Sequence, residues 1–209
     1  MNFLECKRKI TDFLSTYQRR KLDNDIFRPA GVLIPFVNIN EDAHLILTLR
    51  SGHVATHKNQ VAFPGGAMES EDTSIISTSL RETEEEIGVV PADVSIWGKF
   101  DDFYTISYYK ITPVIGEFRY PYPFKKQEEE IAEIFTVPLE IFLTERFFRE
   151  KMWEKNGKKY PVYYYYFNGF EIWGITAYII NSFIEKVFSF NPARSKIEPY
   201  LKWRDIFKS

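Results

Sequence analysis

The sequence predicts an α/β domain in which helices cover a mixed sheet. Three observations lead there. Runs rich in β-formers alternate with segments whose apolar residues recur at helical spacing. Hydrophobic residues make up 44% of the 209 positions and aromatics 17%, with 19 Phe, 13 Tyr and 4 Trp, enough for a sizeable core. No internal repeat and no Gly- or Ser-rich linker divides the chain.

The elements follow in order. Phe3, Ile10, Phe13, Leu14 and Tyr17 share one helical face, so residues 2–21 are expected as an amphipathic helix. Its basic residues Lys7, Arg8, Lys9, Arg19, Arg20 and Lys21 read as a solvated face. Residues 1–24 then form a helical extension packed on a domain of residues 25–209. Gly31–Val37 and His44–Arg50 read as two strands joined through Asn38–Asp42, and Phe63-Pro-Gly-Gly66 reads as a loop. A polar helix runs from about Thr73 to Ile87 and stops at Gly88. Val94–Trp97 and Ile111–Ile115 are shorter strands. Tyr160–Phe167 and Glu171–Gly174 flank Asn168-Gly169, a hairpin turn by composition. The aromatic run Tyr160–Tyr166 alternates between sheet faces, building core and surface rather than a stacking platform. Thr176–Phe188 is a closing helix.

Composition narrows the function. Twenty-seven Lys and Arg stand against 29 Asp and Glu, a formal charge of −2, without the basic excess of a nucleic-acid binder. No apolar run approaches a membrane span, and the N-terminal residues lack a signal-peptide core. The single cysteine, Cys6, has no partner for an internal disulfide and is read as helix packing. The expectation is a soluble cytoplasmic protein with no nucleic-acid or membrane partner. His53 and His57 are four apart but lack a helical context, so they read as a surface loop rather than a zinc site.

The chemistry-bearing stretch is Gly65–Gly88. On a helix, Glu86 lies about 40° round from Glu82 and Glu85 about 60° the other way. Arg81 sits four residues before Glu85 on the same side. Ile76, Leu80, Thr83 and Ile87 fall on another face and are expected to pack inward, while Glu84 points to solvent. Glu-Glu-Glu taken alone also reads as an ordinary charged face. As a cluster, each like pair at this spacing costs an isolated helix about 0.2–0.5 kcal/mol, and the cluster stands at the helix end that disfavours anions. A hard divalent cation with oxygen ligands, Mg²⁺ or Mn²⁺, would offset the charge that Arg81 leaves.

Gly66, Arg81, Glu82, Glu85, Glu86, Gly88 and Val89 together resemble the signature of the Nudix hydrolases, a glycine loop leading to a helix that ends Arg-Glu-x-x-Glu-Glu-x-Gly. Asp72 stands where that signature has its first glutamate, with one extra residue before Arg81. Outside this box, Ile46–Ser51 with Phe63–Gly66, then Val137-Pro-Leu139 and Ile172–Ala177, are similar to the segments of the coenzyme A pyrophosphatase branch. Ala55 replaces that branch's usual arginine and Asn59 its usual glycine.

The resemblance implies a single Nudix-type α/β/α sandwich with a mixed sheet and an N-terminal helix. It implies divalent-metal-dependent hydrolysis of the diphosphate in coenzyme A or an acyl-CoA, giving 3′,5′-ADP and (acyl-)4′-phosphopantetheine. ADP-ribose, nucleotide sugars and dinucleotides are the alternative substrates, and a catalytically inactive binding or regulatory protein is the non-enzyme alternative. The Mg²⁺ or Mn²⁺ ligands implied are Glu82, Glu85, Glu86 and the backbone of Gly66. Arg81 is the orienting ion-pair partner, and Glu130 is general base or auxiliary ligand. Asp72 positions the loop or braces the ligands from behind. Arg50, Lys58, Phe63 and Gly65 are expected around a small-molecule diphosphate. A homodimer is compatible with the resemblance.

Overall fold

A computed structural model of the protein describes residues 1–52, 58–155 and 158–193. His53, Ala55 and His57 lie outside the described residues. Helix α1 (Phe3–Thr16) begins where the Asn2 side chain accepts the Leu4 and Glu5 N–H groups, an N-cap that satisfies two orphan donors. It is shorter than the expected 2–21. The Tyr17 hydroxyl and the Arg20 N–H both donate to Asp101, the Leu22 N–H donates to Asp102, and Arg19 pairs with Asp102. These two buried carboxylates take up backbone donors and draw the chain out of the helix, so Arg19 and Arg20 do not share a face with Lys7. Lys7 itself pairs with Glu117.

Strands β1 (Arg28–Ile39) and β2 (Asp42–Arg50) are joined by Asn40 and Glu41, both at positive φ (51° and 70°), as a tight primed turn requires. The first sheet continues with β3 (Val61–Ala62), β4 (Gly65–Ala67), β5 (Ser95–Lys99), β6 (Phe103–Tyr104), β7 (Tyr109–Glu117) and β8 (Ile131–Pro138). Its order is β3-β2-β1-β7-β5, with β4 on β1, β6 on β7 and β8 on β2. The β1–β7 pairing is parallel and the others are antiparallel, so the sheet is mixed. The expected strand Val94–Trp97 overlaps β5, and Ile111–Ile115 lies within β7.

Strand β1 is buried over a nearly continuous stretch, because both sheet faces are covered. Phe36 joins a large core with Phe3, Ile10, Phe100 and Phe183 on the side of α1 and α3 (Gly174–Phe188). Its neighbour Val37 joins Ile46, Ile87, Val89 and Phe118 on the side of α2 (Ile75–Ile87). The result is the expected three-layer α/β/α arrangement. Cys6 is buried in the larger core, and burial pushes its thiol up to about 12.

A second antiparallel sheet comprises β9 (Phe148–Lys155), β10 (Lys158–Phe167) and β11 (Phe170–Trp173). Asn168 and Gly169 turn β10 into β11 with φ of 47° and 84°, as the dipeptide predicts. Tyr163 and Tyr165 face the core, while Tyr164 lies flat beside Trp173 and Tyr166 on the other face. Among the described residues no helix is long and apolar enough to cross a membrane.

Candidate functional site

Helix α2 starts at Ser74, which exchanges side-chain and backbone hydrogen bonds with Ser77 in a capping box, and stops at Gly88 in the left-handed conformation (φ 74°). It lies on β1 at Gly31, where an added Cβ would stand 2.6 Å from the Ile75 carbonyl oxygen. This close approach determines which face is buried. Thr78, Ser79, Thr83, Glu86 and Ile87 are buried, whereas Ile76 and Leu80 are only partly covered. The expected stripe is thus correct at Thr83 and Ile87 and displaced elsewhere. Small side chains suit a helix backbone pressed against a glycine, and the bulkier ones are pushed to the edge.

The three glutamates consequently occupy different environments. Glu86 is 4% exposed; it accepts the Gly65 N–H at 3.1 Å and Arg50 Nη1 at 3.4 Å. Burial pushes its pKa up to about 8, with the Gly65 N–H and Arg50 pulling the other way. Glu82 is half-buried, and burial raises its pKa against the pull of Arg81, whose Nη2 lies 2.9 Å away. The Glu85 side chain is 55% exposed and meets Arg81 Nη1 at 3.0 Å. Glu84 is exposed, as expected.

Arg81 is the hub of this cluster. Its Nε and Nη2 donate to Asp72 at 3.2 and 3.1 Å, and Nη2 also reaches the Ala67 carbonyl at 3.1 Å. Asp72 in turn accepts the Glu69 N–H and the Thr78 hydroxyl. Hydrogen bonding to Arg81 holds the Asp72 carboxyl below its usual range. Asp72 therefore braces Arg81 and the preceding loop.

The glycine loop packs the carboxylates by its lack of side chains. A Cβ on Gly66 would stand 2.5 Å from the Glu82 carboxyl carbon. Gly65 has φ 150°, and a Cβ there would meet the Gly31 carbonyl oxygen at 2.4 Å. Gly65 thus serves Glu86 through its N–H. Arg50, expected beside the substrate, stands inside the acidic cluster between Glu86 and Glu130, 3.9 Å from the latter. Glu130 has a 44% exposed side chain. Its carbonyl accepts the Ser51 N–H, and its N–H donates to Gln127, whose own N–H caps the Glu86 carbonyl. These contacts tie the loop carrying Glu130 to the end of α2, a link that sequence spacing does not reveal.

Two expectations change. Phe63 is 4% exposed within the larger core, so its ring is a packing group and not a substrate contact. The loop composition of Phe63–Gly66 conceals that residue 63 follows β3 on the inward side. Asn59, standing where glycine was the pattern, has φ 55°, a left-handed conformation that glycine adopts freely and asparagine tolerates better than most residues. Lys58 is exposed beside it.

Three glutamates and bare glycine backbone supply the kind of oxygen donors that a hard divalent cation takes. Among the described residues no three His, Cys, Asp or Glu side chains share a ligating geometry. Arg81 separates Glu82 from Glu85, and Arg50 holds Glu86, so the carboxylates are paired with guanidiniums instead of with one another.

The raised pKa of Glu86 gives a test of this electrostatics in metal-free protein. Folded Glu86 keeps its proton up to about 8, whereas the unfolded chain releases it near 4.5. The stabilisation is therefore complete at pH below the unfolded value and is lost as pH rises through about 8. In chelator, the melting temperature should fall from pH 5 to pH 9 by several degrees more in the wild type than in Glu86→Gln, at about 2–4 °C per kcal/mol. Parallel pH profiles for the two proteins would refute the assignment.

The NUDIX domain model matches residues 28–160. An uncharacterized Nudix hydrolase NudL of Enterobacter sp. (strain 638) is 36% identical over 175 residues, covering 82% of this chain and 91% of the relative. The protein of the same name from Escherichia coli O6:H1 is 35% identical with the same coverage. Nudix enzymes generally need a divalent cation, in keeping with the acidic cluster. The chain belongs to the Nudix family and is a pyrophosphohydrolase.

Proposed function

We propose that the protein hydrolyses coenzyme A or an acyl-CoA at its diphosphate in a Mg²⁺- or Mn²⁺-dependent reaction, releasing 3′,5′-ADP and (acyl-)4′-phosphopantetheine. The observation that carries this reading is that the branch-like segments meet along β2 and β3, and β2 ends in Arg50 at the acidic cluster. Thr176, in the segment Ile172–Ala177, donates its hydroxyl to the Val61 carbonyl at 3.0 Å. Val61 and Ala62 pair with Leu49 and Thr48 in the segment Ile46–Ser51, and Val137 pairs with Leu45. Asn59 is compatible with the branch, because its φ of 55° is a conformation that glycine adopts freely.

In this reading Glu82, Glu85, Glu86 and the Gly66 carbonyl hold the cation. When bound, the cation neutralises diphosphate charge and makes a coordinated water more acidic. Glu130 takes the proton of the attacking water or serves as an auxiliary ligand. The water oxygen bonds to phosphorus, the anhydride P–O bond breaks, and its electron pair leaves with the departing phosphate. Arg81 orients Glu82 and Glu85, and Lys58 contributes positive charge on the substrate side. Cys6, a free and buried cysteine, suits the reducing cytoplasm.

ADP-ribose, nucleotide sugars and dinucleotides would be cut at the same centre. The alanine at position 55, where the branch has arginine, favours that second reading. A panel of diphosphates assayed with Mg²⁺ and with Mn²⁺, products identified by mass, separates the two. Coenzyme A or an acyl-CoA should give the highest kcat/KM. An ADP-ribose or dinucleotide efficiency a hundredfold above CoA would overturn the substrate and leave the pyrophosphohydrolase intact.

A further inference from the structure

Arg81 and Arg50 are held differently. Arg81 has four partners at 2.9–3.2 Å, including the buried Asp72, and is anchored. Among the described residues, Arg50 makes one 3.4 Å side-chain hydrogen bond, to Glu86, and a 3.9 Å ion pair to Glu130, and its Nε is buried without a hydrogen-bond partner. A guanidinium has five donors, and among the described residues this one directs a single long side-chain hydrogen bond, to Glu86. Asp72 answers Arg81, and among the described residues Arg50 is the cation paired with Glu86 and Glu130.

A divalent cation on Glu86 would compete with Arg50 for the same carboxylate, and two positive groups cannot share it closely. The planar fork of the displaced side chain matches a phosphate as well as it matches a carboxylate. We propose that Arg50 is a placeholder counter-ion, which holds Glu86 and Glu130 in the cation-free protein and yields Glu86 on cation binding to engage the substrate's diphosphate. This inference rests on the reading that Glu86 is a cation ligand. It assigns Arg50 two successive partners and explains why a residue expected beside the substrate stands among the glutamates.

Calorimetric titration of substrate-free protein with Mn²⁺ tests it. Arg50→Gln removes the competitor, so Mn²⁺ should bind at least about fivefold more tightly, while KM for the diphosphate substrate rises by about tenfold or more through loss of a charge-assisted bond. A residue devoted only to substrate would raise KM and leave Mn²⁺ affinity unchanged. A merely structural residue would weaken both. Either outcome overturns the proposal. Glu86→Gln distinguishes the underlying reading: if Mn²⁺ affinity is unchanged in that variant too, Glu86 is not a ligand and both fall. If Mn²⁺ affinity drops in Glu86→Gln and is unchanged in Arg50→Gln, the placeholder alone falls. A measurement on wild-type protein removes dependence on the variants' folding. The Arg50 Nε–Hε resonance, assigned by its loss in Arg50→Lys, should move when Mg²⁺ is added and move again on adding pyrophosphate. A resonance unmoved by saturating Mg²⁺ would overturn the placeholder role.

Discussion

Glu85→Gln is expected to lower kcat by at least about 10²-fold while leaving the fold and the melting temperature of the metal-free protein nearly unchanged. Its side chain is 55% exposed and its contact with Arg81 is a surface i,i+4 pair, worth only about 0.3–0.5 kcal/mol. Arg81 stays anchored after the change, because Asp72, Glu82 and Ala67 still accept its other hydrogen bonds. Glutamine preserves volume, removes one negative charge and relieves repulsion within the cluster. The loss should therefore appear in turnover and in Mn²⁺ affinity, and not in circular dichroism or thermal melts. Near-normal turnover at saturating Mn²⁺ would remove Glu85 from the centre of the reaction.

Gly66→Ala should lower both Mn²⁺ affinity and kcat by about 10–100-fold, the range typical when a group supporting a ligand is lost. The new methyl group would meet all three atoms of the Glu82 carboxyl group at 2.5–2.6 Å. That carboxyl is the free end of a flexible side chain, so it can rotate away and the fold survives. What is lost is its placement. Gly65→Ala gives the contrasting case. There the methyl group meets the Gly31 carbonyl oxygen at 2.4 Å and the backbone has φ 150°, so the strand pairing itself must shift. Gly65→Ala should destabilise the chain in a thermal melt, whereas Gly66→Ala should remain folded with a weakened centre. If Gly66→Ala binds Mn²⁺ and turns over as the wild type does, the position of Glu82 has no bearing on catalysis.

Much of α2 was legible because its signals are local. Helical periodicity, the glycine stop at Gly88 and the four-residue step from Arg81 to Glu85 concern neighbours in sequence, and the structure has each of them. The Asn168-Gly169 turn was legible for the same reason: two adjacent residues carry the positive φ that the hairpin needs. The end of α1 was not, because Asp101 and Asp102, the groups that take its donors, lie some eighty residues away.

The sequence by itself determined that this chain carries an arginine and three glutamates at one end of a helix behind a pair of glycines, and that together these resemble a diphosphate-cleaving centre. Tertiary structure decided what each glutamate experiences. Glu86 is buried where it accepts the Gly65 N–H and meets Arg50, while the Glu85 side chain, one residue earlier, is 55% exposed. It also decided that Phe63 packs inward and that Arg50 answers Glu86 across thirty-six positions. Helical spacing fixes the angle between side chains around an axis. Their burial and charge partners depend on what packs against that axis, and those contacts come from distant parts of the chain.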